Sequence, residues 1–147
     1  MREAASLPLN LITAWEGLVD RAQVRSGQRV LVHGGAGGVG HIAIQIARAD
    51  GAQVFATGSA GDKTYIEQLG ATFTDYKKTP VTDYVAQHTA GRGFDLIYDT
   101  VGGATLDASL QAVARFGHVV SARPARSRRG STRGISRWRR SWGRIRH

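Results

Sequence analysis

Apolar and polar residues follow two different spacings along the first 121 residues of the chain. In some segments apolar residues recur every three to four positions, which is typical of a helix with one buried face. Between these segments lie short continuous apolar runs such as Val30–Val32, which are typical of strands buried on both faces of a parallel sheet. Strands that alternate with helices over short connections predict an α/β fold, an open parallel sheet of about five strands with helices on both faces.

The pattern also predicts where each element begins and ends. Strands are predicted at residues 30–32, 53–57, 71–74, 94–99 and 117–121, and helices at 6–22, from the glycine-rich turn to 49, at 62–69, at 80–89 and around 106–113. Pro8 is expected in the first turn of the leading helix, and Thr79 is expected to cap the fourth helix, with Pro80 at its first helical position. The predicted buried stripes are Leu11, Ala14, Trp15, Leu18 and Ala22 in the leading helix, and Leu106, Leu110 and Val113 in the last helix.

One turn between a strand and a helix holds five glycines, at positions 34, 35, 37, 38 and 40. Gly35, Gly37 and Gly40 have the G-x-G-x-x-G spacing of a dinucleotide site. In such a site the first glycine permits the tight turn, the second lets the backbone approach a pyrophosphate, and the third lets the helix pack close to the strand. The unpaired amide groups at the start of the helix then attract phosphate. The alternative is that these glycines only form a strand-to-helix turn.

Residues at three predicted strand ends are expected to meet in one crevice. Ligands of open parallel sheets bind beyond the carboxyl ends of the strands, near the point where the strand order switches. His33, Gly58–Ser59 and Asp99–Thr100 all stand at such ends. No histidine is predicted to be catalytic, and His33 is expected to pack near the bound cofactor.

The end of the second strand bears on the choice of cofactor. An NAD site usually has a carboxylate there, and this chain reads Thr57-Gly58-Ser59 instead. Lys63 follows within one turn, and a cation suits the 2′-phosphate of NADPH. The sequence therefore predicts NADPH, with NADH less favoured. The alternative is that Lys63 is a solvated helix residue, and the neighbouring Asp62 counts against NADPH unless it faces away.

Charge divides the chain into two regions. Residues 1–120 hold 10 Lys and Arg and all 11 Asp and Glu, whereas residues 121–147 hold 10 Arg and no acid. The chain has no cysteine, which excludes disulfides and thiolate metal sites within it. No apolar run approaches the roughly 20 residues that span a bilayer, so we expect a cytoplasmic protein without membrane contact.

Several segments in the right order resemble the medium-chain dehydrogenase/reductase superfamily, in its zinc-independent quinone oxidoreductase-like branch. They are Leu7-Pro8 with Thr13-Ala14, the segment from Val30 to Gly40, and Asp99-Thr100-Val101-Gly102-Gly103. The resemblance implies a Rossmann-type cofactor-binding domain over residues 1–121, truncated at about five strands. It also implies reduction of quinones, enones or related carbonyl and alkene substrates by hydride transfer, usually from NADPH.

The resemblance and the glycine pattern together give a set of predicted cofactor-binding residues. The resemblance adds Tyr76, which matches a tyrosine that reaches the 2′-phosphate, and it assigns no catalytic residue. Leu9 stands where zinc-dependent relatives have a metal ligand, so no zinc is expected. The predicted cofactor-binding residues are Thr13, Gly35, Ala36, Gly37, Gly38, Val39, Gly40, Ser59, Lys63, Tyr76, Thr100, Val101 and Gly102.

The chain departs from the family at both ends. Members carry an N-terminal catalytic domain, and after the fifth strand they continue with a further strand. Here we expect a truncated or frame-shifted product, inactive on its own, that takes a substrate only when a catalytic domain is supplied. The tail at 122–147 is expected to be disordered, either as an out-of-frame translation or as a nucleic-acid-binding arm whose arginines meet phosphates. The sequence does not indicate an oligomeric state.

Overall fold

The computed structural model describes residues 2–122, and the side chains from Pro8 onward. Of the predicted tail at 122–147, residues 123–147 lie outside the described residues. The strands are β1 (Arg29–His33), β2 (Gln53–Gly58), β3 (Thr72–Asp75), β4 (Phe94–Asp99) and β5 (Val113–Ser121). The helices are α1 (Arg2–Trp15), α2 (Gly38–Ala49), α3 (Lys63–Gln68), α4 (Val81–Thr89) and α5 (Ala104–Ala112), with a π-helical turn at Glu16–Arg21 and a 3₁₀ turn at Ala60–Asp62.

All five strands are parallel and form one sheet in the order β3-β2-β1-β4-β5. The chain leaves β1 toward β2 and β3, and then returns to the other side of β1 with β4. The switch in strand order therefore lies between β1 and β4, where open sheets of this kind bind ligands. The predicted α/β class with a Rossmann-type sheet is confirmed.

Two hydrophobic cores cover the two faces of the sheet. Val32, Ala56 and Tyr98 lie in the core that α1 and α2 cover, and each of these side chains is fully buried. Leu31 and Ile97 lie in the opposite core, beside Tyr84 of α4 and Ala112 of α5. Because successive residues of a strand point to opposite faces, a strand buried on both faces needs apolar residues without interruption, as Val30–Val32 provides.

The leading helix begins earlier than predicted, and its predicted stripe was partly wrong. It begins at Arg2, so Pro8 lies inside the helix rather than in its first turn. Ala14 and Leu18 are buried as predicted, but Leu11 and Trp15 are 49% and 50% exposed. The small residues explain this, because a Cβ at Gly17 would collide with the ring of Tyr98. The helix thus lies close to the sheet along a narrow face, and the bulkier side chains beside that face remain outside.

The last helix and strand also differ from the prediction. The residues of α5 that are fully buried are Ser109 and Ala112, whereas Leu110 is 47% exposed. Val113 belongs to β5, which starts four residues earlier than predicted and contains an irregularity in its pairing with β4. Small buried residues let α5 approach the sheet, so its contact face does not coincide with its largest apolar side chains.

The start of α4 differs from the prediction by one position. Pro80 is the N-cap residue, with φ of −61° and ψ of 156°, and Val81 is the first helical residue. Thr79 therefore precedes the cap, and no side chain caps this helix by a hydrogen bond. None of the helices within residues 2–122 combines the length and hydropathy that a membrane-spanning helix needs.

Candidate functional site

A cleft of about 540 Å³ opens beside the loops that follow β1 and β4. We call it the switch-point cleft, because these loops flank the switch in strand order. A larger groove, of about 880 Å³, lies at the opposite, amino edge of the sheet, where this class of fold does not bind its cofactor. The switch-point cleft is lined by Leu9, Asn10, Thr13, Gly34, Ala36, Gly37, Gly38, Val39, Asp62, Thr100, Val101 and Ala122.

The tight turn out of β1 belongs to Gly34 rather than to Gly35. Gly34 has a φ of +73°, which residues with a side chain rarely adopt, whereas Gly35 has no positive φ. A Cβ at Gly34 would lie 2.6 Å from the Oγ1 atom of Thr100, so the loops after β1 and β4 touch here. Gly35 is required for packing, because its Cβ would lie 2.8 Å from that of Ala56.

The other glycines of the loop prepare the start of α2. A Cβ at Gly40 would collide with the carbonyl oxygen of Gly34, so this glycine lets the helix pack close to the turn that follows β1, where the prediction named the strand itself. Gly37 is the N-cap residue and is exposed, and a Cβ there would meet only the Gly34 carbonyl, at 3.3 Å. Gly38 and Val39 line the cleft from the first turn of this 12-residue helix. Their amide groups have no acceptor inside the helix, which favours an anion in the cleft.

Asp99 organises the loop that follows β4. Its Oδ1 atom accepts hydrogen bonds from the backbone N–H groups of Val101 and Gly102, both at 2.9 Å, and from the hydroxyl of Thr105 at 3.1 Å. The hydroxyl of Thr100 donates to the carbonyl of His33 at 2.6 Å. Partly buried hydrogen bonds on both sides thus hold Thr100 and Val101 at the cleft wall. The sequence identified this loop but not the role of the carboxylate beneath it.

Helix α1 forms the third wall of the cleft. The hydroxyl of Tyr98 donates to the carbonyl of Thr13 at 3.1 Å and holds the helix against the sheet. Burial raises the pKa of Tyr98 to about 12, with Arg21 opposing and Glu16 adding to the shift, so the phenol stays protonated and able to donate. The Thr13 hydroxyl itself donates to the carbonyl of Leu9 at 2.9 Å. Asn10, which also lines the cleft, was missed by the sequence reasoning, although it lies one turn before Thr13.

The end of β2 carries a carboxylate that the linear sequence did not place there. Asp62 lines the cleft, and its Oδ2 atom accepts hydrogen bonds from the backbone N–H and the hydroxyl of Ser59, at 3.0 and 2.9 Å. The 3₁₀ turn brings it back to the strand end, because the pair forms a capping box. Asp62 therefore faces the switch-point cleft rather than away from it.

The structure brings together only part of the predicted set. Lys63 is exposed at the start of α3. Tyr76 is 53% exposed, and its backbone N–H donates a hydrogen bond to the carbonyl of Gly58 at 3.4 Å. Neither lines the cleft, and Ser59 and Gly102 also lie outside its wall. Gly35 and Gly40 are buried beneath the glycine loop. The predicted residues that line the cleft are Thr13, Ala36, Gly37, Gly38, Val39, Thr100 and Val101.

The metal-ligating side chains of the described part of the chain do not cluster. Within residues 2–122 the structure contains no group of three or more His, Cys, Asp or Glu that could hold a metal ion. Leu9, which stands where zinc-dependent relatives have a metal ligand, is apolar and 65% exposed. These residues therefore do not fit a zinc centre.

Comparisons with known proteins agree with this geometry. In solved structures, an alcohol dehydrogenase superfamily protein from Novosphingobium aromaticivorans is 65% identical, with a TM-score of 0.77 over 78% of this chain and 34% of that one. The CurK enoyl reductase is 36% identical, with a TM-score of 0.74 over 81% of this chain and 36% of that one. Mycoketide-CoA synthase of Mycobacterium tuberculosis is 43% identical over 117 residues, which are 78% of this chain and 3% of that protein.

The chain therefore spans about a third of the solved relatives and a few per cent of the synthase. A family model described as zinc-binding dehydrogenase matches residues 38–122, from the first residue of α2 to the end of the described structure. That match covers more than half of the 147 residues. The chain thus belongs to the zinc-binding dehydrogenase family, in the medium-chain dehydrogenase/reductase superfamily, through its cofactor-binding domain.

Proposed function

We propose that residues 1–121 form an NADPH-binding domain of an oxidoreductase that reduces an enone, quinone or related carbonyl or alkene substrate. The observation that carries this proposal is the start of α2, where an exposed Gly37 and two free helical amides face the switch-point cleft. A Cβ at Gly37 would stand in that opening, so the site fits a ligand that approaches the backbone closely. The enoyl reductase among the relatives favours an alkene conjugated to a carbonyl within this class.

The residues of the chain bind and orient in this proposal. The amide groups of Gly38 and Val39 would hold the pyrophosphate, and Thr100 and Val101 would form the wall on the opposite side. Bound NADPH supplies the hydride. Among the side chains that line the cleft, Asp62 alone is titratable, and it is bonded to Ser59. No described cleft residue is therefore assigned to proton transfer.

The family takes its description from zinc, but the described residues of this domain do not provide a set of ligands for it. The described residues lack a ligand cluster, and the sequence lacks cysteine. No step of the proposed reaction passes through a metal.

Asp62 and Lys63 act in opposite directions on the choice between NADPH and NADH. A carboxylate at the end of β2 favours the ribose hydroxyls of NADH and repels a 2′-phosphate. In the structure Asp62 is occupied by two hydrogen bonds from Ser59, and the exposed Lys63 adjoins it. We propose that Lys63 and Tyr76 reach the 2′-phosphate and that Asp62 reduces the preference for NADPH without reversing it.

Calorimetric titration of the purified chain with NADPH and with NADH tests this proposal. Lys63→Ala should weaken NADPH about tenfold and spare NADH, because one charge-assisted hydrogen bond is lost at an exposed position. Arg92→Ala, at the amino-edge groove, is the charge-matched control and should change neither affinity. Equal weakening of both nucleotides by Lys63→Ala, or tighter binding of NADH by the parent, would contradict the assignment of NADPH.

A steady-state assay separates binding from turnover. We expect residues 1–147 to oxidise NADPH at most very slowly with quinones and enones, because the described cleft residues offer no group that protonates a reduced product. Hydride transfer also needs a substrate held in near-attack geometry, which can supply about 7–11 kcal/mol. Saturable, robust turnover would show that the domain carries a complete active site.

A nucleic-acid partner is the second candidate, and the 10 arginines of residues 121–147 favour it. Binding of this kind should weaken steeply with salt, because each neutralised phosphate releases counterions. Retention on immobilised RNA and DNA with and without residues 122–147 tests it. Salt-independent or equal retention of the two forms would leave NADPH binding as the sole proposed function.

A further inference from the structure

A row of polar residues crosses the sheet at the carboxyl ends of its strands. His33 is aligned with Thr57 of β2 and with Asp99 of β4. Residues aligned in adjacent parallel strands point to the same face, so these three side chains lie side by side. They lie on the α4/α5 face, because Leu31, two residues before His33, belongs to that core. Thr74 and Ser121 extend this row, which we call the polar row, to the outer strands.

His33 contacts the end of β2 on one side and the loop after β4 on the other. Its Nδ1 atom lies 3.0 Å from the hydroxyl oxygen of Thr57, and its carbonyl accepts the hydrogen bond from Thr100. The carbonyl of Thr57 in turn accepts the N–H of Gly35 at 3.0 Å, which holds the glycine loop. His33 therefore connects the glycine loop, the end of β2 and the loop after β4.

Two atoms of the polar row are buried without a hydrogen-bond partner among the described residues. They are Nε2 of His33 and Oδ2 of Asp99, in side chains that are 2% and 0% exposed. Leaving a buried polar group without a hydrogen bond is costly, so such groups usually find a partner. One atom can carry a proton and the other accepts one, and a single water molecule between them would satisfy both.

The acceptor on Asp99 determines the tautomer. An ionised carboxylate oxygen only accepts, so it favours a proton on Nε2, and the Thr57 hydroxyl then donates to Nδ1. Burial lowers the pKa of His33, and Asp99 opposes that shift without cancelling it, so the ring is neutral near pH 7. His88 is the other histidine of this face, and its Nε2 lies 3.3 Å from the Thr74 hydroxyl.

We propose that His33 is a positioning residue of the switch-point cleft, a neutral imidazole whose Nε2–H group faces Asp99 and so keeps the loop after β4 in place against the glycine loop. Asp99 transmits the effect, because its other oxygen holds the N–H groups of Val101 and Gly102. The effect on cofactor affinity rests on the proposed function. The tautomer and the loop geometry do not.

The first experiment reads the imidazole directly. Long-range ¹H–¹⁵N spectra of the full chain, recorded from about pH 5.5 to 8, should show His33 as the neutral Nε2–H tautomer at pH 7 and above, with a titration midpoint below that of the unfolded chain. The urea-unfolded chain gives the reference shifts of a titrating histidine. An Nδ1–H tautomer, or a charged ring at pH 7, would overturn the proposal whether or not the chain binds NADPH.

The second experiment tests positioning through affinity. His33→Leu should weaken NADPH at least tenfold, whereas His33→Gln, which retains an N–H donor near the position of Nε2, should remain within about threefold of the parent. Thr105→Val loosens the same loop, so combining it with His33→Leu should weaken binding by less than the product of the two single effects. His118→Leu, at the amino edge, is the control and should bind as the parent does.

Two results of the affinity arm would count against the proposal. One is a folded His33→Gln that binds as weakly as His33→Leu, and the other is a folded His33→Leu with parent affinity. If His33→Leu does not fold, the Gln variant and the spectra still decide. If the parent does not bind NADPH, the proposed function fails, and the tautomer alone then tests whether the Nε2–H group of His33 faces Asp99.

Discussion

The two ends of the switch-point cleft are built from different parts of the chain. At one end the glycine loop presents backbone alone, with Gly37 exposed and Gly40 packed against the Gly34 carbonyl. At the other end side chains meet, as Asp62 returns to Ser59 with Lys63 beside it. The glycines that shape the backbone end leave little room for a side chain, and their spacing makes them easy to find in a sequence. At the side-chain end, the effect on cofactor binding depends on where the chain after β2 places the charges of Asp62 and Lys63.

Adding one carbon at Gly40 should break the backbone end outright. In Gly40→Ala the new Cβ would collide with the carbonyl of Gly34, which is backbone and cannot move aside without opening the turn. We expect the free energy of unfolding to fall by about 3 kcal/mol or more. Urea denaturation followed by circular dichroism measures it. Ala86→Val, at an exposed position of α4, is the control for added volume in a helix, and a loss no larger than its loss would contradict the packing role of Gly40.

A change at Gly37 should separate binding from folding. In Gly37→Val the side chain would project into the opening of the cleft, where the structure offers only the Gly34 carbonyl at 3.3 Å. We expect affinity for NADPH to fall at least 100-fold, or about 2.7 kcal/mol, while the unfolding free energy changes by about 1 kcal/mol. Fluorescence titration gives the affinity. A folded Gly37→Val with parent affinity would show that the pyrophosphate does not lie on this loop.

Asp62→Asn tests how the charge at the side-chain end of the cleft affects the choice between NADPH and NADH. It removes the negative charge at the end of β2 while an amide oxygen can still accept from Ser59. We expect NADPH to bind about threefold more tightly and NADH to bind more weakly, because one like charge no longer opposes the 2′-phosphate. Calorimetry with both nucleotides at two salt concentrations measures the change. The gain should shrink at high salt, and a gain for both nucleotides alike would argue for a general effect of charge.

The smallest expected effect is a pH dependence of stability from the buried histidines. Burial lowers the pKa of His33 and of His88 below 6.5, so an acidic solution protonates these rings in the unfolded chain before the folded one. The unfolding free energy should therefore decrease as the pH falls from about 7.5 to 5.5. In His33→Gln the decrease should be smaller, with the remainder from His88. An unchanged slope in that variant would show that His33 takes up its proton equally in both states.

Local pattern was enough to predict most of the backbone. The strands predicted at residues 53–57 and 94–99 agree within one residue with β2 and β4, and the glycine-rich turn lies between β1 and α2 as predicted. Such features depend on the spacing of apolar residues and on the positions of glycines, which can be read from a short stretch of sequence. The apolar pattern predicted the buried face of a helix less reliably where small residues pack against the sheet, since Ser109 of α5 is buried and Leu110 is exposed.

The alternation of strands and helices, the glycine loop and the resemblance to the superfamily could all be predicted from the sequence, because each rests on residues adjacent in the chain. The strand ends were expected to bring His33 and Asp99 to one crevice, but the folded chain was needed to show that Asp62 lines the cleft and that His33 and Asp99 are buried side by side beneath it. His33 and Asp99 are 66 positions apart, and the order of the strands alone makes them neighbours. A carboxylate or an imidazole acquires its role from the groups that burial sets around it, and those groups come from distant segments of the chain.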